Sequence, residues 1–252
     1  MITLLENEIL TIVKDECNGI PFLVYRPSPI DCNKWATIFF YHGWSSDKQR
    51  QHIRAHILAT MGYQVVMVDG IHHGERGLLD YESDEVVREW LWKVVAKNIE
   101  EFPMLLSYAK NLYQIDMDRV AAAGHSMGGI TAAGLFSAYP ELKTAVAMNG
   151  SFNWKRTVEL FEEDEVLKKS FETCSKFDPA LNKDAFNQRP ALSIHGELDD
   201  EISPMADLEL YRSMKVGEGL LETFVFSPHE GAGHVVTTNM MEEMILWLGQ
   251  YL

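Results

Sequence analysis

A serine between two glycines is the first residue whose surroundings could support chemistry. The sequence GHSMG (residues 124–128) ends the apolar run 120–124 and precedes a helical pattern. A G-x-S-x-G sequence between a strand and a helix is typical of a nucleophile elbow, a sharp turn that holds a serine hydroxyl above the edge of a sheet. The pattern predicts that Ser126 is a nucleophile. The plainer alternative is that Ser126 only caps the helix.

A serine hydroxyl becomes an effective nucleophile when a base accepts its proton and a third group orients that base. His234 is the predicted base because it follows a Gly-Ala-Gly loop after the last predicted strand. His229, five residues earlier, is the alternative base. The segment HGELDD offers Asp199 and Asp200 as the acid. Counting from the strand end favours Asp199, which we prefer, whereas counting back from Pro204 favours Asp200.

Hydrolysis of an acyl bond also needs two N–H donors directed at the oxyanion of the tetrahedral intermediate. The backbone of Met127, directly after the predicted nucleophile, is one expected donor. The loop YHGWSS (residues 41–46) is expected to supply the other through the backbone of Trp44, with Gly43 giving the turn its freedom. The alternative is an ordinary turn in which Trp44 is a surface aromatic residue.

Paired histidines raise the possibility of a metal site. His52 and His56 are four residues apart in a helical pattern, and His72 is followed by His73. Neither pair lies in an H-E-x-x-H sequence, and no cluster of Cys or Asp completes a site. We therefore expect no metal and no organic cofactor.

The elements that must position these residues alternate between short apolar runs and longer helical patterns. Several runs are apolar at nearly every position, which fits strands covered on both faces of a parallel sheet. Asn18-Gly19 predicts a hairpin turn between the first two strands. The predicted strands are 9–14, 20–26, 36–41, 65–69, 120–124, 145–149, 191–195 and 222–226, and the helices are 48–61, 83–113, 127–138, 204–214 and 238–252. Alternating strands and helices predict an α/β fold with a mostly parallel eight-stranded sheet and helices on both faces.

One segment interrupts this alternation. Residues 151–188 are charged and helix-prone, contain no candidate strand, and lie between two predicted strands. Because a connection of this kind is usually much shorter, we expect a small helical cap above the sheet rather than one long crossover helix. With no internal repeat or linker, residues 1–252 are predicted to form a single domain that carries this insertion.

Charge and cysteine content restrict the partners and the compartment. The 252 residues include 22 Lys and Arg against 37 Asp and Glu, a net charge of −15. A negative field of this size disfavours binding to nucleic acid or to an anionic membrane. The chain has three cysteines and no apolar run of membrane-spanning length, and its N-terminus lacks the pattern of a signal peptide. We therefore expect a reduced, cytoplasmic protein with a small-molecule substrate.

Taken in order, the motifs YHGWSS, VDGIHHGERG, GHSMGG, HGELDD and GAGH resemble those of the α/β-hydrolase superfamily. Within it, the chain is similar to small bacterial serine esterases of the prolyl-oligopeptidase-like and dienelactone-hydrolase-like branches. The resemblance implies the α/β-hydrolase fold and hydrolysis of a carboxylic ester through an acyl-enzyme. It places Ser126, Asp199 and His234 at the triad and Trp44 and Met127 at the oxyanion donors.

The same resemblance limits the reaction. Dienelactone hydrolases use cysteine at the elbow, and dehalogenases and epoxide hydrolases use aspartate, so Ser126 argues against all three activities. The leading expectation is a serine carboxylesterase for small to medium acyl esters. A peptidase or amidase of the same fold, and a non-catalytic ligand-binding protein, are the alternatives.

Overall fold

The computed structural model describes residues 9–28, 34–161, 164–187, 189–214 and 223–252. Eight strands in these residues form one sheet. They are β1 (Leu10–Cys17), β2 (Ile20–Pro27), β3 (Trp35–Tyr41), β4 (Gln64–Val68), β5 (Ile115–His125), β6 (Thr144–Met148), β7 (Ala191–Gly196) and β8 (Phe224–His229). The spatial order is β1-β2-β4-β3-β5-β6-β7-β8. The pairs β1–β2 and β2–β4 are antiparallel and all other neighbours are parallel, which confirms the predicted α/β fold with a mostly parallel eight-stranded sheet.

Helices cover both faces of this sheet. They are α1 (His52–Thr60), α2 (Asp84–Leu112), α3 (Met127–Ala138), α4 (Trp154–Leu160), α5 (Glu165–Glu172), α6 (Met205–Met214) and α7 (Thr238–Tyr251). Strand side chains alternate between the faces, so Phe39 of β3 packs with α2 and α3, whereas its neighbour Phe40 packs with α1 and α7. Two apolar layers therefore enclose the sheet, and its strands are apolar at consecutive positions.

Most predicted elements are present, and their boundaries differ where a tertiary contact decides them. The helix expected at 48–61 begins only at His52, because the buried ammonium of Lys48 pairs with Asp69 and holds the preceding residues in turns. The strand expected at 65–69 ends one residue before Asp69 for the same reason. The strand expected at 222–226 is β8 and runs to His229, and its first predicted residue, Glu222, lies outside the described residues.

Residues 151–187 of the expected insertion form α4, α5 and three short 3₁₀ turns between β6 and β7, except for the undescribed residues 162 and 163. This segment packs against the first half of α2. The ring of Trp92 lies 5.3 Å from that of Trp154 and 5.2 Å from that of Phe171, and Ser170 Oγ donates a hydrogen bond of 2.8 Å to the carbonyl of Glu89. The segment therefore forms a helical layer against α2.

In the part of the chain that the structure describes, every helix is too short or too polar to cross a membrane.

Candidate active site

The turn between β5 and α3 holds Ser126 in a backbone conformation that side-chain-bearing residues rarely adopt. Its φ is 57° and its ψ is −125°. Such a conformation costs of order 1–3 kcal/mol and persists only where the surrounding structure enforces it. A Cβ on Gly124 would lie 2.7 Å from the carbonyl oxygen of Tyr41, and one on Gly128 would lie 2.7 Å from that of His42. The two glycines therefore permit the close approach of β3 that fixes the elbow.

His234 connects the elbow serine to a buried carboxylate. Its Nε2 lies 2.8 Å from Ser126 Oγ, and its Nδ1 lies 2.8 Å from Asp199 Oδ2. Because a carboxylate only accepts hydrogen bonds, Nδ1 carries the proton and Nε2 is left to accept one from the serine hydroxyl. The structure thus brings together three of the residues selected from the sequence.

The two alternatives left open by the sequence lie elsewhere. Asp200 is exposed to solvent, whereas Asp199 is buried at the sheet edge. His229 ends β8 and pairs through Nε2 with Glu243 Oε2 of α7 at 2.8 Å. Asp199 and His234 are therefore the pair that this geometry places behind Ser126.

Asp199 is held by donors on both of its oxygens. Oδ1 accepts hydrogen bonds from the backbone N–H groups of Glu201 at 3.0 Å and Ile202 at 2.9 Å, while Oδ2 faces His234. Burial acts to raise the pKa of this carboxyl, but hydrogen bonds from His195, His234 and the backbone of Ile202 outweigh burial, so the pKa lies well below its ordinary value. Asp199 is therefore an anion throughout the neutral range.

A buried histidine orients the peptide that contains the N–H of Trp44. Nδ1 of His42 lies 2.8 Å from the carbonyl oxygen of Gly43, and its Nε2 accepts a hydrogen bond of 3.0 Å from the backbone of Gly70. A carbonyl only accepts, so His42 donates from Nδ1 and fixes the direction of the Gly43 C=O. In a trans peptide the N–H points the opposite way, so this bond also sets the direction of the Trp44 N–H.

The second expected donor, Met127, is the first residue of α3. The first N–H groups of a helix have no acceptor within the helix, and the helix dipole is positive at that end. The N–H of Met127, directly after Ser126, therefore lies at the positive end of α3. The indole of Trp44 is half-buried against His73 and Tyr81, so it is not a surface aromatic residue.

A buried ion pair anchors the loop that contains Trp44. Lys48 Nζ lies 2.5 Å from Asp69 Oδ2, both side chains are at most 1% exposed, and the backbone N–H of Lys48 donates to Asp69 Oδ1 at 2.8 Å. Asp69 also accepts from the backbone of Glu75, whose carboxylate binds the same lysine. This network ties the loop after β3 to the loop after β4.

These features agree with comparisons to known proteins. The family model of the prolyl oligopeptidase family, Peptidase_S9, matches residues 49–252. The chain belongs to the prolyl oligopeptidase family.

Two curated relatives of this family member match over nearly the whole chain. The esterase YjfP of Escherichia coli is 26% identical, and YitV of Bacillus subtilis, named as a candidate esterase, is 28% identical; each match covers 97% of this chain and all of the relative. Among solved structures, TT1662 from Thermus thermophilus has a TM-score of 0.77 at 20% identity, covering 96% of this chain and 97% of the other. The structural likeness supports the fold.

A cavity of about 540 Å³ lies beside Ser126 in this prolyl oligopeptidase family member. Its apolar walls come from α2, α3 and the inserted segment, and they include Leu91, Trp92, Ile130, Val158 and Leu167. A larger groove of about 650 Å³ lies between α1 and α7, but none of Ser126, Asp199 and His234 lines it. The cavity at Ser126 is therefore the candidate substrate site.

Two further residues of the site were not selected from the sequence. Asn149 follows β6 with a φ of 46°, donates from Nδ2 to the carbonyl of Val235 and accepts at Oδ1 from the backbone of Gly196, both at 2.9 Å. It thereby ties the His234 loop to the end of β7. A polar residue just after a buried strand was the available signal for Asn149.

The second such residue, His125, packs its ring 5.0 Å from that of His234. Burial, followed by the nearby charge of His234, lowers the pKa of His125 to about 3. An uncharged His125 ring therefore covers one side of His234.

Within the described ranges, no group of three or more His, Cys, Asp or Glu side chains is arranged to hold a metal ion. The Nδ1 atoms of His52 and His56 instead contact the backbone carbonyls of Gln49 and His52, each at 2.8 Å.

Proposed function

We propose that this protein is a serine carboxylesterase that cleaves small to medium acyl esters, with Ser126, His234 and Asp199 as its catalytic residues. The observation that carries the proposal is the unbroken chain of 2.8 Å contacts from Ser126 Oγ through His234 to Asp199, which begins at a strained elbow. The family and the two relatives named for esterase activity support the same reaction class.

In the first half-reaction, Ser126 Oγ attacks the ester carbonyl while His234 Nε2 takes the hydroxyl proton. The backbone N–H groups of Trp44 and Met127 bind the oxyanion that forms. When the tetrahedral intermediate collapses, the bond from the carbonyl carbon to the leaving oxygen breaks, His234 donates the proton to that oxygen to release the alcohol, and an acyl-serine remains. Asp199 stays ionised throughout and stabilises the imidazolium form of His234.

In the second half-reaction, His234 takes a proton from a water molecule that attacks the acyl-serine. The same two N–H groups bind the second oxyanion, and collapse releases the carboxylic acid and the Ser126 hydroxyl. The proton taken from water returns to Ser126, so the enzyme ends in its starting state. No group beyond these residues and water is required by this scheme.

The inserted segment supports the substrate range that we propose. Val158 and Leu167 of that segment line the cavity, as does Trp44. We propose that residues 151–188 act as a small cap within a single domain and that they limit the length of the acyl group. A cavity of this volume that combines apolar walls with polar groups is of the kind that holds a small organic ligand.

The test is the initial rate of hydrolysis of p-nitrophenyl esters from acetate to palmitate, with Ser126→Ala beside the wild type. We expect Ser126-dependent rates that peak at short or medium chains. A peak at palmitate would contradict the role of the cap. Wild-type turnover by Ser126→Ala would refute the assignment of the nucleophile.

Amide hydrolysis is the second candidate, and the family description as a prolyl oligopeptidase favours testing it. The same attack and oxyanion geometry serves an amide, provided that His234 protonates the leaving amine. Aminoacyl p-nitroanilides assayed beside the esters separate the two activities. Higher kcat/KM on the anilides would make the protein a peptidase or amidase, and a lack of Ser126-dependent turnover on both would favour a ligand-binding role.

We propose a small-molecule substrate and a cytoplasmic location for the protein. The net charge of −15 opposes binding to nucleic acid or anionic lipid. Cys17 and Cys174 are buried free thiols, as a reducing compartment would favour, and Cys32 lies outside the described residues. Fractionation of cells that express the full chain tests this location.

A further inference from the structure

A second histidine lies behind the acid of the proposed triad. His195 is the next-to-last residue of β7, and its side chain is fully buried, as is that of Asp199. Its Nε2 lies 3.2 Å from Asp199 Oδ2, the same oxygen that faces His234 Nδ1 at 2.8 Å. One carboxylate oxygen is thus placed between two imidazole rings.

The position of the His195 proton follows from its other contact. Nε2 lies 2.8 Å from the carbonyl oxygen of Ile202, which can only accept a hydrogen bond. Nε2 must therefore carry the proton, and that proton is shared between Ile202 O and Asp199 Oδ2. Among the described residues, no group lies within hydrogen-bond distance of the buried Nδ1, so that nitrogen does not compete for the orientation of the ring.

We infer that His195 is a positioning residue of the esterase, an inference that rests on the proposed function. Its N–H holds Asp199 Oδ2 in line with His234 and offsets part of the carboxylate charge. Through Ile202, it also closes the 199–202 loop whose backbone N–H groups bind Asp199 Oδ1. His195 does not touch the reacting atoms and acts only through Asp199.

The charge of Asp199 sets the sign of the expected effect on His234. Three other titratable groups face the pair: Asp207 of α6, whose pKa burial raises, interacts electrostatically with His195; the His125 ring packs against His234; and Glu201 Oε2 lies 3.6 Å from His234 Nε2. When the His195 donor is removed, the charge of Asp199 acts more strongly on His234, and the imidazolium form is favoured. The acidic limb of the kcat/KM profile therefore moves to higher pH.

The experiment compares His195→Phe, which removes the donor, with His195→Gln, which keeps a side-chain N–H. A matched control is His229→Gln at the end of the neighbouring strand. For His195→Phe we expect kcat to fall about ten- to hundredfold, the range that a hydrogen bond to a charged group represents, while KM changes by less than about threefold. The pH at the midpoint of the acidic limb of kcat/KM should be higher by about half a unit. His195→Gln should have a smaller loss of kcat and a smaller shift of the acidic limb than His195→Phe. His229→Gln should behave as wild type.

If kcat/KM falls by the same factor at every pH, and His195→Gln is no more active than His195→Phe, the inference is overturned and His195 has a purely structural role. It would not affect the proposed esterase, whose test is Ser126→Ala. The rate at which a fluorophosphonate labels Ser126, measured across the same pH range, gives these pH profiles without the choice of an ester substrate.

Nitrogen-15 NMR of the wild-type imidazoles tests the inference without any variant. We expect a slowly exchanging proton on Nε2 of His195. A proton found on Nδ1 instead would also overturn the inference, even if His195→Phe does not fold.

Discussion

Asp199 and Asp200 are neighbours in the chain, but only Asp199 is buried and contacts His234. Asp199→Asn should lower kcat by roughly 10³–10⁴-fold, because an amide no longer holds the Nδ1–H tautomer or stabilises the imidazolium. Asp200→Asn should change kcat by less than about twofold, as expected of an exposed turn residue. Steady-state kinetics of the two variants on one ester decide between these acids, and a reversed order would reinstate Asp200.

Buried histidines make the stability of the protein depend on pH. Burial, followed by the charge of His42, lowers the pKa of His73 to about 4, below its ordinary value near 6.5. Between these values the unfolded chain binds more protons than the folded one, so stability is lost as the pH falls from 6.5 towards 4. His73 alone should lower the free energy of unfolding by about 2 kcal/mol between pH 7 and pH 5. Burial also lowers the pKa values of His42 and His125, which act in the same direction.

Urea unfolding at pH 7 and pH 5 measures this effect, with His73→Phe as the variant. Phenylalanine can pack against the rings of Trp44 and Tyr81 but cannot take a proton. The difference in the free energy of unfolding between pH 7 and pH 5 should therefore be smaller in this variant. His52→Gln, on the surface of α1, controls for the loss of an imidazole. An unchanged difference in His73→Phe would show that other groups set the acid limb of stability.

At the scale of elements, the elbow depends on the contact between α3 and β3. Gly128→Ala should destabilise the fold by more than about 3 kcal/mol, because the added Cβ would meet the backbone of Tyr41 and His42. Gly249→Ala is the control: it lies in α7, where the nearest atom to an added Cβ is 3.9 Å away, and it should stabilise the protein by about 0.5–1 kcal/mol. Thermal unfolding of both variants tests the pair. A stable Gly128→Ala would mean that the close approach is not required.

The loop of Trp44 gives a second prediction at this scale. Lys48→Met leaves the carboxylate of Asp69 buried and unpaired, which should cost about 3–5 kcal/mol and reduce activity as the loop loosens. Lys93→Met breaks the exposed pair with Glu89 and the contact of the ammonium with the ring of Trp90, and it should cost less than about 1 kcal/mol. Chemical denaturation of the two variants measures the difference, and equal losses would show that the buried pair contributes no more than a surface one.

Most elements could be predicted from the sequence because each has a local signal. The β5 run, the G-x-S-x-G turn and the Gly-Ala-Gly-His loop are readable from neighbouring residues alone. The roles of His42, Asn149 and His195 are not, because each depends on a partner brought near by the order of the strands, such as Gly70 for His42. The start of α1 was missed for the same reason, since the contact of Lys48 with Asp69 is non-local.

At the scale of the whole molecule, charge should select among substrates. The net charge is −15, and the cavity beside Ser126 is lined by Glu82, Asp84, Asp164 and Glu201 against one arginine, Arg88, which itself pairs with Asp164 at 2.9 Å. A field of this sign should repel anionic esters. We expect p-nitrophenyl butyrate to react with a higher kcat/KM than mono-p-nitrophenyl succinate, by about tenfold or more at low salt. The ratio of the two kcat/KM values should fall as salt is added. A ratio that does not change with salt would show that the selectivity comes from the shape of the site.

Ser126 and His234 are separated by 108 positions in the chain. At about 5–20 residues per second, roughly 5–20 s of translation pass between the emergence of the serine and that of its base. Throughout that interval the growing chain contains the elbow sequence but not His234, the base that we propose for it. With His234 as the base that we propose, we expect reactivity to appear only after β8 and α7 have docked, and a nascent chain that lacks them should be inert towards acyl groups.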